Sequence, residues 1–365
     1  MSPFGDPLWR GGISLLGFLA TRRGGDAVRF GIFDQNDRGP LPLAEHYEAR
    51  LQLADFYDRA GFHTYHVSEH HATPLSATPA TGAWLAAVAQ RTKRLRFGPL
   101  VYILPLRHPL QLAEEICLLD QMSGGRFELG VGRGISPYEL GYHGVEAAEA
   151  PARYREAFAL LMQALTQEEV SFQGRWWQCD KVPIVLRPLQ QPHPPLWYAC
   201  GAVESAVWPA QHGVSIVCNA PAPRVAEIAA RYRAERTASG PEPCIGLSRA
   251  IVIADSTGEA MAAAQRGWQR YDNSFNLLWK RHGSAPINAR VTPDFADTQA
   301  AGMGFAGTVT EVRDALLRQV AETGVNYVVS RFAFGDLTQA ESLRSATLFA
   351  AEVMPALAEQ HRRAA

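Results

Sequence analysis

Three short clusters in this chain carry residue types that could do chemistry. Glu69-His70-His71 follows an apolar run over residues 62–67. An imidazole in a loop beside a carboxylate suits general acid–base work, or a hydrogen bond to a reactive cofactor atom. Read alone, such histidines are loop caps. Gly130-Val131-Gly132-Arg133-Gly134 closes a second apolar run. Its glycines let backbone approach a ligand closely, and the planar fork of Arg133 matches phosphate geometry. The bland alternative is a tight turn with an exposed arginine. The third cluster, Ala199 to Ser205, leads from a strand into a helix. Free N–H groups at a helix start favour an anion, and Ser205 adds a hydroxyl, although ordinary capping explains the same residues. Together with Arg133 this segment forms two parts of one phosphate cradle, provided both loops share a rim.

Two other motifs point elsewhere. His66-Val67-Ser68-Glu69-His70 fits the H-x-x-E-H zinc pattern. That chemistry needs both imidazoles on one helical face. Here the segment continues a strand, where four residues span roughly 13 Å, too far for one zinc. No metal is expected. Gly302-Met303-Gly304-Phe305-Ala306-Gly307 matches G-x-G-x-x-G, but the dinucleotide reading requires a preceding strand. Residues 295–301 do not look like one, so a flexible loop ending at a helix start is expected.

These clusters need a scaffold. The 365 residues are 47% hydrophobic and 19% charged, ample for a large core and against disorder. Net charge is −1, which argues against nucleic-acid binding or a polybasic membrane anchor. No run of about 18 apolar residues exists to span a membrane. The five cysteines are scattered and form no C-x-x-C, as expected of reduced thiols in a cytoplasmic protein. Residues 1–27 read as a disordered extension: their apolar run, Ile13 to Ala20, has its arginine pair after it, the reverse of an export signal.

From residue 28 strands and helices alternate. Strands are expected over 28–33, 62–67, 95–103, 127–131, 196–200, 214–218, 245–253 and 325–331. Helices are expected over 42–60, 80–91, 109–121, 151–166, 203–212, 223–238, from about 257, 309–323 and 339–360. Eight such units imply a parallel sheet closed as a (β/α)8 TIM barrel spanning 28–365, with site residues on loops after the strands. An open doubly wound sheet is the alternative. Residues 168–194 suggest a hairpin or proline-rich excursion. Residues 268–306 suggest a long loop or lid, with Trp268, Tyr271, Phe275 and Trp279 either closing over a pocket or packing beneath the loop.

Ser68-Glu69-His70-His71, Leu104 to Pro109, Ala113-Glu114-Glu115, Leu119 to Phe127 and Gly130 to Gly134 resemble, in order and spacing, the bacterial luciferase-like flavin monooxygenases. Gly307 to Val312 and Gly324 to Val329 resemble that family's closing unit. The resemblance covers residues 28 to about 355. It implies a barrel holding reduced FMN near the C-terminal ends of the strands. Arg133, Ser205 and the Gly201-Ala202 backbone would hold the phosphate, with Glu69 and Gly132 also near the cofactor. His70 matches the histidine thought to act on the flavin C4a-hydroperoxide. Leu100-Val101 matches the pair that often forms a cis peptide beneath the isoalloxazine ring.

Departures exist. Light-emitting luciferase has a cysteine where this chain has Gly132, and an acidic and a hydroxyl residue at Gly201 and Ala202. Light emission is therefore not expected. The resemblance implies an FMN-dependent monooxygenase that oxygenates a small organic substrate with O2, its flavin reduced by a separate NAD(P)H:flavin reductase. It also implies a homodimer, or a related heterodimer, through the region of residues 80–91 and 109–121. The rivals are an F420-dependent oxidoreductase on the same barrel, a noncatalytic flavin-binding protein, and a zinc hydrolase built on His66 and His70.

Overall fold

The computed structural model describes residues 28–237, 242–286 and 292–364. The extension expected over residues 1–27 lies outside them. The chain folds as a parallel barrel wrapped by helices. Its first half runs β1 (Arg29–Asp34), α1 (Leu43–Ala60), β2 (Thr64–Val67), α2 (Thr81–Arg91), β3 (Arg96–Pro99), β4 (Tyr102–Ile103), α3 (Pro109–Ser123), β5 (Leu129–Gly132), α4 (Pro137–Tyr142), α5 (Ala150–Thr166), β6 (Glu169–Gln173) and β7 (Gln178–Pro183). The second half runs β8 (Leu196–Ala199), α6 (Val207–Gln211), β9 (Ser215–Cys218), α7 (Ala222–Glu235), β10 (Ile245–Ile253), α8 (Thr257–Arg281), α9 (Phe295–Ala300), β11 (Gly304–Gly307), α10 (Val309–Thr323), β12 (Tyr327–Arg331), α11 (Gln339–Leu348) and α12 (Met354–Ala364).

The sheet order is β3-β2-β1-β12-β10-β9-β8-β5-β4. β3 and β4 are two halves of one strand, broken at Leu100-Val101. β3 pairs with β2, whereas β4 pairs with β5, and a bridge from Phe97 to Phe127 joins the two ends of the sheet. Eight strand positions therefore close the barrel, and the expected TIM fold stands. Near-continuous burial of β2, β5, β10 and β12 is what a parallel sheet covered on both faces demands. Inside, Tyr327 fills the space opposite Gly31, whose added Cβ would fall 1.8 Å from the tyrosine oxygen.

Residues 168–194 form the expected hairpin, with β6 and β7 antiparallel. Among the described residues of 268–306, those up to Arg281 are helix, not loop. α8 runs unbroken through Trp268 and Trp279 because Ala260, Ala263, Ala264, Gly267, Trp268, Tyr271, Ser274 and Leu278 line one buried stripe. The polar residues between them hide this period in the sequence. Gly304 to Gly307 is likewise a strand, not a flexible loop: it pairs with residues 250–253, the upper half of β10, while residues 245–247 pair with β9. It follows helix α9, so the strand that a dinucleotide loop requires is missing.

Two helices are also interrupted. The one expected over 339–360 contains a wide π turn at Phe349–Val353. Pro355 lacks an N–H and crowds the carbonyl four residues back, which opens the ladder there. The one expected over 203–212 is a 3-10 turn, Glu204–Ala206, followed by the short α6.

Candidate active site on the C-terminal rim

β2 ends at Val67, and its loop is tied directly to the broken third strand. Leu100 N donates to Val67 O at 2.7 Å, and Ile103 N donates to Glu69 Oε2 at 2.9 Å. Between these bonds lies the Leu100-Val101 peptide, which is cis. Glu69 is buried and fully engaged: Arg107 donates to both its oxygens, and Oε1 lies 2.8 Å from His71 Nε2. Burial would raise the Glu69 carboxyl, but His71 and Arg107 hold it below its ordinary range. Its oxygens anchor the loop and offer no free edge.

His70 faces the neighbouring strand loop instead. Its Nδ1 lies 3.1 Å from Glu139 Oε1, and Glu139 Oε2 accepts from His71 N at 2.8 Å. Glu139 is a residue that sequence reasoning missed. It sits on α4, whose Ser136 cap accepts from Glu139 N. A six-residue helix opened by proline leaves too little periodicity to detect; Ser136-Pro137 alone signals its start. A carboxylate at Nδ1 favours the tautomer with the proton there, leaving Nε2 as the basic nitrogen.

β5 ends at Gly132. A Cβ there would lie 2.3 Å from Val101 Cγ2, so Val101 occupies the space that a side chain at 132 would need. Arg133 follows, exposed, and among the described residues its guanidinium makes no hydrogen bond or ion pair. β8 lies beside β5, with Gly130 opposite Trp197. The turn after β8 is built around Ser205, whose Oγ donates to Ala202 O at 2.6 Å and accepts from Ala202 N at 3.3 Å. Ser205 Oγ also lies 3.0 Å from Cys200 Sγ. Gly201 and Ala202 are exposed, and a Cβ at 201 would meet open space.

Tyr198 lies on β8, ahead of the Ser205 turn. Burial raises its hydroxyl, Cys200 adds to the rise, and the charge of Arg133 opposes it. Arg133 and Ser205 follow adjacent parallel strands, β5 and β8, on the rim that also carries His70 and Leu100-Val101. Cys200 is held below its ordinary value by a hydrogen bond from the Cys218 thiol and then by Ser205.

The two histidines of the zinc motif have different partners. His66 lies inside the barrel with Nε2 2.9 Å from Tyr327 Oη, and burial lowers it to about 4. Among the described residues no three His, Cys, Asp or Glu side chains gather as a metal set. No helix there is long and apolar enough to cross a membrane.

A family profile described as "luciferase-like monooxygenase" matches residues 28–327. The chain is 41% identical over 331 residues to the protein y4wF of Sinorhizobium fredii, covering 90% of this chain and 96% of that one. It is 30% identical over 327 residues to 4-hydroxyprotoasukamycin monooxygenase of Streptomyces nodosus subsp. asukaensis (84% and 85% covered). It is 28% identical over 272 residues to the oxygenase component of a flavin-dependent trigonelline monooxygenase of Acinetobacter baylyi (72% and 73% covered). Among solved structures, monooxygenase RslO1 from Streptomyces bottropensis superposes with a TM-score of 0.80 at 25% identity, covering 90% of this chain and 99% of that one.

Proposed function

The chain belongs to the luciferase-like monooxygenase family, and on that premise we propose that it uses reduced FMN and O2 to oxygenate a small organic substrate. The observation that carries this reading is an unpartnered Arg133 beside the Ser205 turn, on the rim that holds His70 beside Leu100-Val101. An exposed guanidinium without a carboxylate and a turn with exposed Gly201 and Ala202 fit a phosphate. Arg133, Ser205 and the Gly201-Ala202 backbone would hold it. Ser205 would exchange its bond to Ala202 O for one to the phosphate.

When bound, FMN supplies the reducing equivalents and the centre at which oxygen reacts. This chain's residues supply the rest. Glu139 holds the proton of His70 at Nδ1, so Nε2 can accept a proton and return it at the flavin side of the rim. The buried wall of Trp268, Tyr271, Phe295 and Phe334 keeps water from the mouth, which protects oxygen chemistry from hydrolytic side paths. With β11 in place of a dinucleotide loop, reducing equivalents reach FMN through a separate NAD(P)H:flavin reductase. The acinetobacter relative's designation as an oxygenase component supports that division.

Two copies pair through α3, where Leu118 and Met122 stand 51% and 49% exposed one turn apart. Light scattering at micromolar concentration is expected to give twice the chain mass; a monomer contradicts it.

The test is to load the protein anaerobically with reduced FMN and mix it with oxygenated buffer. Flavin re-oxidation is expected to differ in rate from free reduced FMN, and to change in His70→Ala. Oxidation of reduced F420 with substrate, and no effect on reduced FMN, would replace this reading with the F420 one. Tight FMN binding without substrate turnover would leave a flavin carrier.

A further inference from the structure

β12 carries an unexplained charge into the barrel mouth. Tyr327 points inward, its ring 5.1 Å from Trp197 and its hydroxyl bonded to His66. The two-residue period of a strand puts Val329 and then Arg331 on the same inward face. Val329 packs in one cluster with Leu100, Trp197 and Tyr327, and Val101 lies against it. Arg331 is therefore the next layer, at the C-terminal mouth.

Arg331 is 5% exposed and pairs with no carboxylate among the described residues. Its guanidinium stands 5.6 Å from the ring centres of both Trp268 and Tyr271. Its one hydrogen bond there, Nη1 to Tyr271 Oη, is long at 3.4 Å. Nε is buried with no partner. The Nε–Nη2 edge, whose two parallel N–H groups match a carboxylate, is unused.

The acids at the C-terminal end of β1 are already committed. Asp34 and Asp37 both receive Arg50, at 3.1 and 3.4 Å, and Asp37 also accepts from Gly335 N. Arg249, on the other face of β10, makes matters worse: burial and then the charge of Arg331 depress it to about 10. A buried cation with no counter-ion is strongly unfavourable.

We infer that Arg331 receives the carboxylate of an organic acid, presented to the reaction centre from the β12 side of the mouth. This names the substrate class of the reading above and rests on it. The anion is not the FMN phosphate: the Arg133 and Ser205 loops follow β5 and β8, and β10 and β9 stand between those strands and β12.

The experiment titrates FMN-loaded protein calorimetrically with benzoate and cyclohexanecarboxylate, and with benzamide and cyclohexanecarboxamide as neutral counterparts. At least one acid is expected to bind about ten-fold or more tightly than its amide, the scale of a hydrogen bond to a charged group. Arg331→Gln is expected to abolish that preference and Arg331→Lys to keep part of it, both with FMN affinity unchanged. The inference is overturned if neither acid binds, if the preference survives Arg331→Gln, or if that variant loses FMN affinity instead. If Arg331→Gln does not fold, the acid–amide comparison on the native protein and Arg331→Lys decide the matter. Failure of the native protein to bind FMN strikes the cofactor reading alone, and the acid–amide comparison is then read on protein without FMN.

Discussion

Glu139 spans two consecutive histidine residues of the β2 loop: one oxygen sits 3.1 Å from the His70 ring and the other takes the His71 backbone N–H. A helix after one barrel strand thereby sets the ring orientation of a residue after another. If His70 serves as acid and base, Glu139 is its positioning residue. Glu139→Gln is expected to lower kcat by about a hundred-fold, the low end of general acid–base contributions. KM and FMN affinity should change little. A kcat like the native enzyme's would show that Glu139 only braces the loop.

Gly132 and Val101 compete for one volume. Gly132→Ala places a Cβ where a Val101 methyl stands, and is expected to cost about 1–3 kcal/mol by overpacking. Val101→Ala in the same chain should recover most of that loss, a coupling that urea denaturation of the four variants measures. Additive losses would place the strain elsewhere.

Buried histidines set the acid limb of stability. Burial lowers His46 and His66 to about 4 from 6.5. Between these values the unfolded chain binds more protons than the folded one, so stability falls as pH drops from about 6.5 to 4. Asp37, raised to about 6 chiefly by burial, acts oppositely over pH 4 to 6, but one acid does not offset two histidines. His66 alone contributes on the order of 3 kcal/mol across that window. Unfolding free energies at a series of pH values should show this slope, and His66→Phe should flatten it. A flat native profile would contradict the account.

Much of this architecture was legible in the residues. The strands are short apolar runs with glycine punctuation, and Gly130 to Arg133 and Glu69 to His71 lie where barrel loops begin. Three features were not legible. α8 hides its apolar stripe among charged residues, so Trp268 and Tyr271 looked like loop aromatics. α4 is too short to show a period, so Glu139 stayed anonymous. Arg331 reads as a strand-terminal arginine until the register shows it turned inward. Glu69 looked available to a ligand, yet its oxygens are spent on His71 and on Arg107 and Ile103, the last two more than thirty residues away along the chain.

The phosphate cradle is the claim on which the proposed cofactor depends. The most direct measurement is a set of anaerobic titrations of the native protein and Arg133→Ala with reduced FMN, reduced riboflavin and reduced F420. The native protein is expected to bind FMN most tightly, and Arg133→Ala to lose about 1.5–3 kcal/mol of FMN affinity while riboflavin affinity stays the same. Equal affinity for FMN and riboflavin, preference for F420, or an FMN affinity indifferent to Arg133 would contradict it.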